Sequence, residues 1–174
     1  MSRTRTSARV VLLDDEGDVL LLCGSDPALP PGSAPRWWFT VGGQVRPGEQ
    51  LAAAAAREIA EETGLRVAPE TLIGPVWRRE SVFRFNGSEM VSVEHYFVLR
   101  TRRFEPSPVG RTALERRYIH EHRWCDAGLI GALAAAGQAV YPRQLGELLE
   151  EAGRLFDEAW CDAAHRPAVA RRIR

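Results

Sequence analysis

An α/β fold follows from three features of this 174-residue chain. Short apolar runs rich in β-branched residues are punctuated by Gly, Pro and Asn turn signals. A run from Gln50 to Thr63 lacks Gly and Pro and is dominated by Ala, Glu, Leu and Arg, good helix formers. The C-terminal part carries a long amphipathic pattern. The length suffices for one sizeable core and the composition demands no second, so residues 1–174 are expected to form a single domain.

The elements follow in chain order. Ala8 to Leu13 and Val19 to Cys23 read as antiparallel strands around the acidic, glycine-containing turn Asp14-Asp15-Glu16-Gly17-Asp18. The proline-rich stretch from Asp26 to Pro35 reads as a surface loop, and Trp37 to Val41 returns to strand character. Gly42-Gly43 and Pro47-Gly48 punctuate the approach to the helix over 50–63, which Gly64 stops. Val67 through Arg103 holds further strands, with Asn86-Gly87 as a hairpin turn. Phe104 to Gly110 is a connection, Tyr118 to Cys125 a strand, and Asp126 to Ala136 a short helix. Leu145, Leu148, Leu149, Ala152, Leu155, Phe156 and Ala159 recur at helical spacing over about 141–160, a face for the sheet or for a second subunit, so a homodimer is an expectation.

Lys plus Arg and Asp plus Glu both number 23, so no global field favours nucleic acid or an anionic membrane over a small ligand. Cys23, Cys125 and Cys161 are widely spaced and odd in number, which fits neither a disulfide framework nor a C-x-x-C motif and points to a reducing cytoplasm. The apolar run after the basic start is too short for a signal-peptide core, and none reaches membrane-spanning length.

The chemistry lies between Gly43 and Leu65. At about 100° per residue, Glu58, Glu61 and Glu62 share roughly 100° of one helix. Ala52, Ala55, Ala56 and Ile59 form the neighbouring apolar stripe, which can face the sheet and hold the carboxylates at a cleft edge. Concentrated carboxylates suit hard divalent cations with oxygen ligands. Arg57, four residues before Glu61, can orient that carboxylate with a forked hydrogen bond. Three glutamates alone are more often a solvated surface face. The full spacing is another matter: Gly43, five residues, Glu49, seven residues, then Arg57-Glu58-Ile59-Ala60-Glu61-Glu62-Thr63-Gly64-Leu65. Its chance occurrence at one start is on the order of one in a billion.

This stretch resembles the Nudix box. The resemblance implies an α/β/α sandwich with a mixed sheet over about 7–135, an extra C-terminal helix, and magnesium-dependent hydrolysis of a diphosphate linkage in a nucleotide-like substrate by metal-activated water. It implies Glu58, Glu61 and Glu62 as metal ligands with Glu49 in support, magnesium or alternatively manganese as the ion, and Arg57 as an orienting group. The general base is expected at Glu61, with Glu121 and Glu94 behind it. Val41 stands where such families often carry proline before the two glycines, Ser81 where ADP-ribose hydrolases tend to carry proline, and Val82 where dinucleoside-polyphosphate hydrolases tend to carry tyrosine.

Substrate contacts are expected from Gly43, Arg36, Arg78, Arg79 and Arg84, with Trp37 or Trp77 stacking on a base. The substrate stays open among nucleoside triphosphates, nucleotide sugars and dinucleotides. Two other readings keep the fold: a ligand sensor without turnover, and an isoprenoid diphosphate isomerase, which needs an active-site cysteine. The basic stretch Arg171 to Arg174 is expected to be frayed and solvated.

Overall fold

The apolar runs become strands of one mixed sheet in the computed structural model, which describes residues 3–30, 32–161 and 170–174. Met1 and Ser2 of the basic start and Pro31 of the proline-rich loop lie outside the described residues. The sheet runs β6-β2-β3-β1-β5-β4-β8, built from β1 (Arg3–Leu13), β2 (Val19–Ser25), β3 (Arg36–Gln44), β4 (Ile73–Phe85), β5 (Ser88–Arg100), β6 (Ile119–Cys125) and β8 (Arg171–Arg172). The short β7 (Ala139–Tyr141) pairs with β3.

β1 and β2 do form an antiparallel pair, but only at the turn, Leu13↔Val19. Beyond it β3 enters between them and pairs with both. β1 finds its long partner in β5, parallel from Arg3↔Met90 to Leu13↔Arg100. Val10 to Leu13 and Val19 to Cys23 are wholly buried in unbroken runs rather than on alternate residues. Such burial requires cover on both faces of the sheet. The expected β4–β5 hairpin turns at Asn86 and Gly87, with φ of 50° and 76°, joining Phe85 to Ser88.

Helix α1 (Leu51–Thr63) packs on β3 and β1, burying Ala54, Ala55, Ala56 and Ile59, with Ala52 only half-buried. Helix α3 (Ala127–Ala135) starts at Asp126, whose carboxylate accepts from the Leu129 amide at 2.6 Å. Helix α4 (Leu145–Cys161) begins later than the periodicity predicts, because 139–141 is drawn into the sheet as β7. Its apolar face packs against α3, β5 and β4 of the same chain, with Leu145, Leu148, Leu149, Ala152 and Phe156 buried. A Leu148→Asp change would therefore strike the core.

Two features differ from the sequence reading. Residues 113–118 form a short helix, α2 (Ala113–Tyr118), opened by a capping box in which Thr112 and Glu115 bond each other's backbone amides. The basic stretch at 171–174 is docked rather than frayed: β8 pairs parallel with Trp77 and Arg78, Ile173 is buried, and Arg171 holds Glu151 at 2.5 Å, while the arginine side chains stay exposed. Ile173 supplies apolar burial that the charged residues around it obscure in the sequence. Among the described residues no helix is long and apolar enough to cross a membrane.

Candidate active site

Helix α1 begins without a side-chain cap and ends on Gly64, whose amide donates to the Ala60 carbonyl at 3.0 Å. Between those ends it presents its carboxylates to three different settings. Glu62 is fully buried against β3 and accepts the Gly42 amide at 2.8 Å. Burial, then the nearby charge of Glu58, pushes its carboxyl up to about 8. Glu58 lies over Gly43 and is also raised by burial, opposed by Arg57. Glu61 is the open one, with a quarter of its side chain exposed.

The two glycines are what let the helix sit so low. A Cβ on Gly43 would come within 2.6 Å of the Glu58 carboxylate. Gly42 has φ of 133°, a conformation that side chains resist, and a Cβ there would overlap the backbone of Ala8 and Arg9. Val41 itself is buried in β3 opposite Val10, so the strand continues to the glycines without a proline.

Arg57 organises the acids. Its forked bond goes to Glu49, Nε to Oε1 at 2.8 Å and a terminal nitrogen to Oε2 at 2.9 Å, and not to Glu61 as its spacing suggests. Its other terminal nitrogen is shared between Glu58 at 2.7 Å and Glu61 at 3.0 Å. Hydrogen bonding by Arg57 pulls the Glu49 carboxyl down to about 2. Arg46 adds a bond to Glu61 at 3.1 Å.

Among the described residues, the carboxylates that could hold a metal are Glu58, Glu61 and Glu115, with donor oxygens all within 4.8 Å of one another. This differs from the expected set. Glu62 is turned to Gly42 and Glu49 is held by Arg57, while Glu115 arrives from α2. Sequence reasoning missed Glu115, although Thr112 followed three residues later by Glu115 is itself a helix-start signature.

Beside this group lies a cleft of about 350 Å³. Phe39, Phe83, Phe85, Tyr118 and Tyr141 supply aromatic wall, and Arg5, Arg9, Arg79 and Arg84 supply charge. Gly42 connects the two regions, since its carbonyl accepts from Arg9 at 2.6 Å while its amide serves Glu62. The Tyr118 hydroxyl is raised by burial and then by Glu62.

Several candidates lie elsewhere. Among those expected to contact substrate, Arg84 and Trp37 line the cleft, but Arg36 and Arg78 do not. Arg36 pairs with Glu121 at 3.4 Å, and Arg78 bonds Glu80 at 2.7 Å. Glu121, on β6 with Arg36 and Arg123, is not in the glutamate group. Strand β6 is an edge strand of the sheet, three strands from β1. Glu94 is buried between Arg9 and Arg79, and Trp77 is a core residue whose indole donates to Glu151 at 3.2 Å, so neither is free for the role considered. His120 bonds Ser25 and His122 meets Glu105, so the two imidazoles serve separate partners. Cys23 and Cys125 are buried, their thiols pushed up to about 11 by burial, and neither lines the cleft.

A family model described as the NUDIX domain matches residues 3–144. Among solved structures, the fold is similar to the dihydroneopterin triphosphate pyrophosphohydrolase of E. coli, at 23% identity over 84% of this chain and 92% of that one, TM-score 0.54. It is also similar to a MutT protein from Methanosarcina mazei Go1, at 19% identity over 88% and 95% of the two chains, TM-score 0.51. An Ap4A hydrolase from C. elegans gives 22% identity, 91% and 99% coverage and a TM-score of 0.50. At these identities the solved structures speak to the fold.

Proposed function

This chain belongs to the Nudix hydrolase family, and from that membership we propose that it hydrolyses a diphosphate linkage in a nucleoside diphosphate derivative with the help of magnesium. The observation that carries the reading is the meeting of Glu58, Glu61 and Glu115 beside an arginine-lined cleft. Carboxylates and a polyanionic substrate repel each other, so their adjacency calls for a cation between them. Three carboxylates from two helices give the hard oxygen donors that magnesium takes, with manganese as a substitute. Bound there, the ion would neutralise phosphate charge and make an attacking water more acidic.

The residues of the chain divide the remaining work. Glu58 and Glu61 are held in place by Arg57, which Glu49 fixes in turn through its forked pair. Glu61, the most open of the box carboxylates, is positioned to take the proton as water oxygen forms its bond to phosphorus. The P–O bond of the anhydride breaks, and the departing phosphate leaves with the electron pair and is protonated from solvent. Buried Glu62 ties the helix to Gly42 and sets its depth. A small nucleotide-like molecule is the partner, and the reaction yields a nucleoside monophosphate and a second phosphorylated product.

The test is product release from a panel of nucleoside triphosphates, nucleotide sugars and dinucleotides with magnesium, comparing wild type with Glu61→Gln and Glu62→Gln. Turnover by wild type that Glu61→Gln abolishes supports the hydrolase, and Glu62→Gln, which keeps an oxygen to accept the Gly42 amide, should lose less. Ligand binding without turnover of any compound by wild type would instead favour a sensor.

A further inference from the structure

The cleft holds more positive charge than its own residues balance. Arg5, Arg9, Arg79 and Arg84 line it together with one carboxylate, Glu94. Glu94 is already engaged on both sides, by Arg9 at 3.7 Å and Arg79 at 2.8 Å, and it accepts the Tyr96 hydroxyl at 2.8 Å. Arg5 lies over the Phe83 ring, 5.4 Å from its centroid, and its Nε is buried with no hydrogen-bond partner. The hydroxyl of Ser81 is likewise buried and unpartnered. These two groups lie in one row across the sheet: Arg5 pairs with Ser92 on β5, and Ser92 with Ser81 on β4. Ser92 between them is engaged with Ser7 at 3.1 Å.

A buried donor without an acceptor destabilises the fold, and more so when it is charged. Two such groups in one row, on strands either side of β5, at the wall of a cleft mark where ligand oxygens are missing. A neutral base or sugar can lie on the aromatic wall, but it leaves the surplus charge standing. Phosphate oxygens answer both the charge and the open donors.

We propose that this row receives a terminal polyphosphate chain, so that the enzyme selects nucleoside triphosphates over nucleotide sugars, with Arg5 and Ser81 as the specificity-determining contacts. The inference rests on the hydrolase reading of the same site and narrows its substrate. In a nucleotide sugar the diphosphate is internal and both ends are uncharged. In a triphosphate one end is itself the anion, and it can extend from the glutamates past Arg9 to Arg5.

Two measurements test this. The first compares kcat and KM for a nucleoside triphosphate and a nucleotide sugar with magnesium in wild type, Arg5→Gln, Arg5→Lys and Ser81→Ala. Arg5→Gln should lower the triphosphate-to-sugar ratio of kcat/KM by roughly ten- to a hundredfold, the worth of a charged hydrogen bond, mainly through KM. Arg5→Lys should restore part of it, and Ser81→Ala should lower it less. An unchanged ratio in an Arg5→Gln protein that unfolds at the wild-type temperature overturns the proposal.

The second is calorimetric titration of inorganic tripolyphosphate in the presence of a metal chelator. Wild type should bind it, and Arg5→Gln should bind at least about tenfold more weakly. Equal binding by Arg5→Gln, or no binding by wild type, overturns the proposal. This arm requires no turnover, so it decides the inference even if the hydrolase reading fails.

Discussion

The glutamate end of helix α1 and the arginine cleft beside it are built in opposite ways. At the helix, Glu49, Arg57, Glu58 and Glu61 lie within thirteen consecutive residues and bond one another, with Glu115 as the outside contributor. In the cleft, Arg5, Arg79 and Glu94 come from three strands and meet only because β1, β5 and β4 are neighbours in the sheet. The first region is made by spacing and the second by topology. Charge follows the same division: Arg57, with Arg46, holds the acids of the helix, whereas the cleft keeps a surplus of cations.

Gly42 is the point where the two regions touch, so it offers the sharpest way to break the comparison. Gly42→Ala combines a strained φ with overlap against β1, and should cost about 3–6 kcal/mol, read by chemical denaturation. A loss below about 1 kcal/mol would mean that the backbone there can move and that the two regions are not fixed to each other.

A pH titration separates the acids from each other. Glu62 sits at about 8 when folded, against an ordinary 4.5, so the unfolded chain releases this proton first. In metal-free buffer its burial therefore costs nothing below about 4.5, and stability falls as pH rises from there to about 8, by roughly 3–5 kcal/mol. Glu49 acts in the opposite sense and in another window. Held at about 2, it contributes stability above 4.5 that is lost as pH falls toward 2. Unfolding curves for Glu62→Gln should lack the decline between about 4.5 and 8, and a decline that persists would assign it to another group.

Glu61→Gln should reduce kcat by about a hundredfold or more while the fold survives, since this side chain lies at the open edge of the helix. Wild-type turnover in that variant would remove Glu61 from the reaction. The smallest effect is expected at Thr112→Ala, which loosens the capping box that places Glu115. It should cost about 1 kcal/mol in thermal stability and raise the magnesium concentration needed for half-maximal rate. An unaltered magnesium requirement would detach Glu115 from the metal group.

The same contrast explains what the sequence could reveal. The Gly43–Leu65 pattern, the Asn86-Gly87 turn and the apolar face of α4 are local periodicities or turn chemistries, and each is realised in the structure. The long β1–β5 pairing, β7 and β8 are invisible to such reading, because a partner strand far along the chain leaves no mark on the spacing of residues. Arg57 shows the limit within the box itself. Its i,i+4 relation to Glu61 is met by one bond, while the fork closes on Glu49, across a loop whose geometry the spacing does not encode. Glu121 shows the converse, a carboxylate credible by its place between His120 and His122 before Arg123-Trp124 yet paired with Arg36 on an edge strand. By sequence Arg5 belongs to a basic start and Arg9 to a strand, and nothing in their spacing shows that they share a cleft with Arg79.

The parallel register of β1 against β5 also orders events in time. The first strand of the chain cannot complete its main ladder until residues up to Arg100 exist. During synthesis the glutamate helix can form while Arg5 and Arg9 are still without β5 beside them. Contacts of such long sequence separation slow folding and leave apolar strands uncovered meanwhile. The glutamate helix is thus assembled early and locally, and the cleft that would choose a substrate is closed late.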